Sequence, residues 1–219
     1  MTKKPKTVLL DFDGVVIDSM PFHLEAWEKS FKSVFQCTLD KDVLSSLSGK
    51  STKVIAQHLT KIENKPLLEE ILIDKKLQFL QELTHGISLL PGAAEFIEEL
   101  NSNNIPFGIV SNASRNFIKD ILDQQQLDVP FYLGIEDYTK PKPHPQPYFM
   151  GAKKAGIEFK DYGSCFVFED SFHGLKAAVD ATMYGIGITS QHSAEGLKKA
   201  GAKLTFSSLE DALLSGLLR

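Results

Sequence analysis

The sequence predicts an α/β protein, a Rossmann-like, doubly wound parallel sheet carrying an inserted helical domain. Three observations carry that reading. A short apolar strand, Val8-Leu9-Leu10, stops abruptly at two acids, Asp11 and Asp13. The stretch 20–88 then shows only helical periodicity. From Leu90-Pro91-Gly92 onward, strand-like and helix-like segments alternate to the end. Alternation of that kind implies parallel strands with helices on both faces.

The elements follow in order. A strand's period of two puts Asp11 and Asp13 on one side of the backbone, and Gly14 then permits a sharp turn. Phe22, Ala26, Trp27, Phe31, Val34 and Phe35 recur at helical spacing, as do Leu68, Ile71, Leu72, Phe79, Leu80 and Leu83. Between them, 44–50 suggests a helix end and loop, and 54–59 a short helix. The alternating part predicts helices over 93–100, 115–125, 147–155, 174–181 and 194–200, and a last one at the end. Strands are expected over 105–110, 131–135, 165–168, 184–188 and 204–206. The domains implied are a core of 1–19 and 89–219 and a helical cap of 20–88.

Composition narrows the function. With 219 residues, 42% hydrophobic and 24% charged, the chain can bury a sizeable core. A net charge of −4 and the lack of a basic run argue against nucleic acid. Two cysteines, Cys37 and Cys165, are too few for a disulfide framework and fit a reducing cytoplasm. The apolar stretch after the basic start ends at Asp11, too short for a signal peptide, and no run is long enough to span a membrane. The expectation is a cytoplasmic monomer or weak oligomer with no membrane partner.

In doubly wound sheets ligands sit outside the carboxyl ends of the strands. The acids at 11 and 13 repel unless a cation or shared proton separates them, which suggests a Mg²⁺ site joined to a nucleophile; a solvated acidic turn is the plain alternative. The strand over 105–110 ends in Ser111-Asn112-Ala113-Ser114, which could cradle a phosphate or simply cap a helix. The strand over 165–168 ends in Glu169-Asp170-Ser171, a metal-ligand pair or an acidic cap. Alternate prolines stiffen Lys140-Pro141-Lys142-Pro143-His144-Pro145, fixing an ammonium in space or forming a semi-rigid linker. Two acidic strand ends in one sheet favour the metal reading.

Taken together, Asp11-Phe12-Asp13-Gly14-Val15, Ser111-Asn112, Lys142-Pro143-His144-Pro145 and Glu169-Asp170 resemble the four motifs of the haloacid dehalogenase-like (HAD) hydrolases. Pro91-Gly92 and Glu169-Asp170-Ser171-Phe172-His173-Gly174 are similar to the β-phosphoglucomutase and sugar-phosphatase branch, and 20–88 looks like its small cap. The resemblance implies that Asp11 attacks phosphorus to form an aspartyl-phosphate, while Asp13 protonates the leaving group and later activates water. Ser111 and Lys142 would hold the phosphoryl oxygens, with Gly14 and Asn112 beside the substrate. Asp11, Asp170 and the Asp13 carbonyl would bind Mg²⁺, Glu169 being a further or water-mediated ligand. Lys142 is preferred to Lys140 because Gln146-Pro147-Tyr148 follows it. Members that cleave carbon–halogen bonds or phosphonates lack an acid two residues after the nucleophile; Asp13 therefore favours phosphate esters.

The cap should choose the substrate. Gly49-Lys50-Ser51-Thr52 fails as a nucleotide-binding loop, since Leu44 stands where that motif needs glycine. In the family this loop tends to point into the site, so Gly49 and Lys50 are candidate substrate contacts, Lys50 being equally suited to a surface position. His23, four residues before Trp27 on the first cap helix, is a further candidate, while Trp27 itself suits the core. Phosphomutase relatives carry a basic residue where this chain has Thr52, and a lysine late in the cap where counting back from Pro91 gives Phe79. Both differences favour a phosphatase of sugar or polyol monophosphates over a mutase. A catalytically idle binding module on the same fold is the third reading, and the intact set Asp11, Asp13, Lys142 and Asp170 speaks against it.

Overall fold

The computed structural model describes residues 4–47 and 52–218. In chain order, β1 (Thr7–Leu10) is followed by four helices, α1 (Met20–Phe35), α2 (Lys41–Ser46), α3 (Thr52–Ile62) and α4 (Glu69–Leu83). The alternating part comprises α5 (Ala93–Ser102), β2 (Phe107–Val110), α6 (Arg115–Gln124), β3 (Tyr132–Leu133), α7 (Gln146–Lys154), β4 (Cys165–Glu169), α8 (Phe172–Asp180), β5 (Tyr184–Ile188), α9 (Ala194–Lys199), β6 (Leu204–Phe206) and α10 (Leu209–Leu214). The chain divides into two compact units, one formed by the segment up to Asp18 with everything from Ser88 onward, the other by Ser19–Ile87.

The first unit is a six-stranded sheet in the order β3-β2-β1-β4-β5-β6, with every pair parallel. This is the doubly wound α/β class expected from the alternation. β1 lies centrally and is wholly buried, Thr7 included, because its hydroxyl donates to the Pro106 carbonyl at 2.7 Å. Strand order reverses across β1, since β2 and β3 lie on one side and β4, β5 and β6 on the other. That reversal is where such sheets open a crevice for ligands. Leu9, Val110, Tyr148, Val167 and Ala178 belong to one of its core clusters.

The boundaries differ from the sequence reading where backbone hydrogen bonding overrules composition. The strand expected over 105–110 begins at Phe107 because Pro106 has no N–H and enters the ladder only as an acceptor, from the Val8 N–H at 3.0 Å. The strand expected over 131–135 is only Tyr132–Leu133, and the chain then turns through a short 3₁₀ segment, Ile135–Asp137. The helix expected from 174 starts at Phe172, because the Ser171 hydroxyl accepts the Gly174 N–H at 3.0 Å and caps it. Ser114, Ser193 and Ser208 cap α6, α9 and α10 in the same way.

The second unit is all helical among its described residues, and α1 packs chiefly against α4. Trp27, Phe31, Phe35, Leu44, Ile55, Leu59 and Leu72 form its core. The helix expected over 54–59 is longer, Thr52–Ile62, with Ile55, Ala56, Leu59 and Thr60 on its buried face.

Candidate active site

β1 and β2 each run directly into a polar residue, Asp11 and Ser111, and β4 ends in one, Glu169. β1 runs into Asp11, whose N–H extends the ladder by donating to the Phe168 carbonyl at 2.9 Å. Phe12 is fully buried and edge-on to Phe117 at 6.2 Å. The chain then closes a tight turn: the N–H groups of Val16 and Ile17 both donate to the Phe12 carbonyl. Gly14 takes φ +73° there, and a Cβ at that position would lie 2.0 Å from Asp170 Oδ2. Only glycine gives both the turn and the close approach.

Lys142 is the hub. Its ammonium lies 2.7 Å from Asp11 Oδ1 and 2.6 Å from Glu169 Oε1, and donates to the Val110 carbonyl at 2.7 Å. Burial alone would pull its pKa down, but Asp11 and Glu169 outweigh that and raise it, so it stays charged. The proline-rich loop is tied to the end of β2 through Asn112, whose side chain accepts from the Lys142 N–H at 3.1 Å and donates to the Lys142 carbonyl at 3.2 Å. Ser114 performs the capping, which leaves the buried Ser111 beside the sheet edge; its Oγ accepts the Ala113 N–H at 3.0 Å.

Glu169 is fully buried and held by four donors. Lys142 and the Tyr148 hydroxyl reach Oε1, at 2.6 and 2.5 Å; the Ser171 hydroxyl and N–H reach Oε2, at 2.9 and 3.3 Å. Asp170, next in sequence, lies within 3.5 Å of the Ser190 hydroxyl, which also donates to the Gly14 carbonyl at 2.6 Å.

Asp11, Glu169 and Asp170 each bring a carboxylate oxygen into a group lying within 4.8 Å of one another, all three residues being buried. Three acids face one ammonium. Burial, then the negative charges of Glu169 and Asp13, push Asp11 up to about 7 despite Lys142. Burial and the charges of Asp11 and Glu169 likewise raise Asp170 well above the usual carboxylate range. An all-oxygen donor set with surplus negative charge fits a hard divalent cation such as Mg²⁺.

The sequence-predicted residues Asp11, Ser111, Asn112, Lys142, Glu169 and Asp170 thus converge at the carboxyl ends of the central strands, and Gly14 touches the group. Gly49 and Lys50 lie outside the described residues. His23 belongs to the helical unit, where its Nδ1 lies 2.9 Å from Nζ of the buried Lys76 on α4. Lys76 Nζ also sits 5.8 Å from the Trp27 ring centre. The count back from Pro91 gives Phe79, whereas the buried lysine of this helix is Lys76, three residues earlier and close to one helical turn away. Tyr148 carries no site signal in the sequence, where its position serves only to favour Lys142 over Lys140.

Fold and site together are those of the doubly wound α/β class, with a buried cluster of carboxylates where the strand order reverses. The model of the haloacid dehalogenase-like hydrolases matches residues 8–188, and the chain belongs to that family of enzymes. It is 28% identical to validoxylamine A 7'-phosphate phosphatase of Streptomyces hygroscopicus subsp. limoneus, over 91% of this chain and 92% of that protein. It is 27% identical to hexitol phosphatase A of Escherichia coli, covering 84% and 83%. With β-phosphoglucomutase of Bacillus subtilis the identity is 28%, covering 95% and 92%. A HAD hydrolase of family IA, variant 3, from Entamoeba histolytica superposes with a TM-score of 0.83 at 24% identity, covering 97% of each chain, a likeness of fold.

Proposed function

We propose that the protein is a Mg²⁺-dependent cytoplasmic phosphatase that hydrolyses a sugar or polyol monophosphate. The observation that carries this reading is the buried cluster of Asp11, Lys142, Glu169 and Asp170 at the reversal of strand order. Asp11 is the nucleophile: its Oδ2 attacks phosphorus, the ester oxygen leaves, and an aspartyl-phosphate remains on the side chain. Asp13 gives the leaving oxygen its proton and then takes one from the water that cleaves the aspartyl-phosphate. Lys142 and Ser111 hold the phosphoryl oxygens, and Asn112 and Gly14 shape the loops beside them. Mg²⁺ held by Asp11, Asp170 and the Asp13 carbonyl would neutralise charge on the transferring group. Glu169 already accepts four hydrogen bonds, which supports a water-mediated contact with that ion. The helical unit 20–88 serves as a cap that selects the ester, with His23, Gly49 and Lys50 as its contacts.

The sugar and polyol assignment draws support from the relatives named as phosphatases of validoxylamine A 7'-phosphate and of hexitols. A specific observation keeps the mutase as the second reading. Lys76, buried late in the helical unit and paired with His23, is a lysine of the kind that phosphomutase relatives carry late in the cap, and it supports this reading. Phosphate release from a panel of sugar and polyol phosphates, with Mg²⁺ and with EDTA, separates the two. Metal-dependent release abolished by Asp11→Asn is the expected result. Conversion of β-glucose 1-phosphate to glucose 6-phosphate without release would favour the mutase, and turnover in folded Asp11→Asn would refute the nucleophile.

A further inference from the structure

Tyr148 lies on the first turn of α7, is fully buried, and is used by none of the steps above. Its hydroxyl donates to Glu169 Oε1 at 2.5 Å, and its ring stands 4.7 Å from Lys142 Nζ. Burial, and then the charges of Glu169 and Asp11, raise its pKa well above the usual phenol value, so it remains a donor. Lys142 has three N–H groups and all three are engaged, on Asp11, Val110 and Glu169. An arriving phosphoryl oxygen must therefore share the N–H that points to Asp11, while the other two contacts keep the ammonium in place. One of those two is the Val110 carbonyl, fixed by β2. The other is a side chain, Glu169, and it keeps its position only while its three other hydrogen bonds, from Tyr148 and Ser171, hold.

We propose that Tyr148 is a positioning residue, which through Glu169 keeps the Lys142 ammonium aimed at Asp11 while the phosphoryl group is transferred. The inference rests on the reading of Asp11 as nucleophile and Lys142 as the cation that holds the phosphoryl oxygens. Hydroxyl and ring act together. The first removes freedom from Glu169, and the second offers the ammonium an electron-rich face 4.7 Å away.

The test is a double-mutant cycle with Tyr148→Phe and Glu169→Gln, assayed by phosphate release with saturating Mg²⁺. Tyr148→Phe removes one oxygen and keeps the ring. It is expected to lower kcat about ten-fold, the usual effect of losing a hydrogen bond to a charged group, with KM changed less than about two-fold. Added to Glu169→Gln, the same substitution is expected to lower kcat by less than about two-fold, because its effect passes through Glu169. Losses that multiply, or a fall confined to the folded fraction with normal turnover per folded molecule, would overturn the proposal. A second measurement needs no Tyr148 variant. In wild-type protein the slowly exchanging Tyr148 hydroxyl proton is expected in the NMR spectrum downfield of the amides, and moved or lost in Glu169→Gln. A resonance indifferent to Glu169→Gln would refute the link. Undiminished turnover in Asp11→Asn would strike the phosphatase reading instead, whatever Tyr148 does.

Discussion

A single methyl group placed on Gly174 should inactivate the protein, and the size of the effect follows from where Glu169 lies. Gly174 occupies the first turn of α8, where alanine is a better helix former by about 1 kcal/mol. Considered as a helix alone, Gly174→Ala ought to stabilise. The added Cβ, however, would lie 1.7 Å from Glu169 Oε1 and 1.8 Å from its Cδ. Ordinary contact begins near 3.4 Å, so the carboxylate must retreat by about 1.7 Å. It has nowhere to go without leaving Lys142 and Tyr148, which lie at 2.6 and 2.5 Å. Breaking a buried ion pair on one side costs about 3–5 kcal/mol. Less the helical gain, the net loss is about 2–4 kcal/mol. Urea unfolding followed by circular dichroism measures it, and phosphate release from the folded fraction should fall more than about ten-fold. Wild-type stability or better, together with full turnover, would refute the placement of Glu169 against α8 and the argument built on it.

Other perturbations address the remaining groups. Gly14→Ala should weaken Mg²⁺ affinity, measured by calorimetry, because its Cβ would lie 2.0 Å from Asp170 Oδ2 and the backbone there has φ +73°. Lys142→Met leaves three buried acids facing one another; it should destabilise the protein by about 3–5 kcal/mol near pH 8, and by less once acid protonates Asp11. In EDTA the native Asp11 titrates at about 7 against an ordinary value of 3.8, so the folded form binds the extra proton between them. Its stabilising contribution is complete below the lower value and is lost as pH rises through the higher one. Melting temperatures of the metal-free protein should therefore fall between about pH 5 and pH 8, and Asp11→Asn should flatten that slope. An unchanged slope in the variant would mean that another group is responsible.

The sheet could be read in the sequence because its information is local. Val8-Leu9-Leu10 and Cys165-Phe166-Val167-Phe168 are apolar runs of strand length that end in acids, and a strand's end is where this architecture places its chemistry. Ser111 and Asp170 stand at strand ends in the same way, whereas Lys142 lies in a proline-stiffened loop and is singled out only by the resemblance and by the Gln146-Pro147-Tyr148 that follows it. What stayed hidden was the set of relations between distant residues. Nothing local in Gln146-Pro147-Tyr148 shows that the tyrosine hydroxyl would meet a carboxylate on β4. Asn112 offers itself equally as a cap or a ligand until the structure shows it paired with the Lys142 backbone. Lys76 carries no signal in the sequence because a lysine in a helical stripe is ordinarily solvated, and only its burial beside His23 marks it out. Boundaries failed where one atom decides them, as with the missing N–H of Pro106 or the capping hydroxyl of Ser171.

The position of β1 has a consequence for how the chain is made. It is the first strand to leave the ribosome, yet its partners are β2 and β4: Leu9 pairs with Gly108 on one side and Val167 on the other. The helical unit is synthesised between them and has an apolar core of its own, so it can fold while β1 waits. A growing chain released before β4 would expose Val8, Leu9 and Leu10 with one edge unpaired, the situation in which strands associate between molecules. Truncation just before Cys165 should therefore yield aggregated protein in which the Ser19–Ile87 helices are nonetheless formed. Asp11 thus follows the strand that comes first in the sequence, yet that strand is paired on both edges only once β4, the fourth of the six strands, has been made.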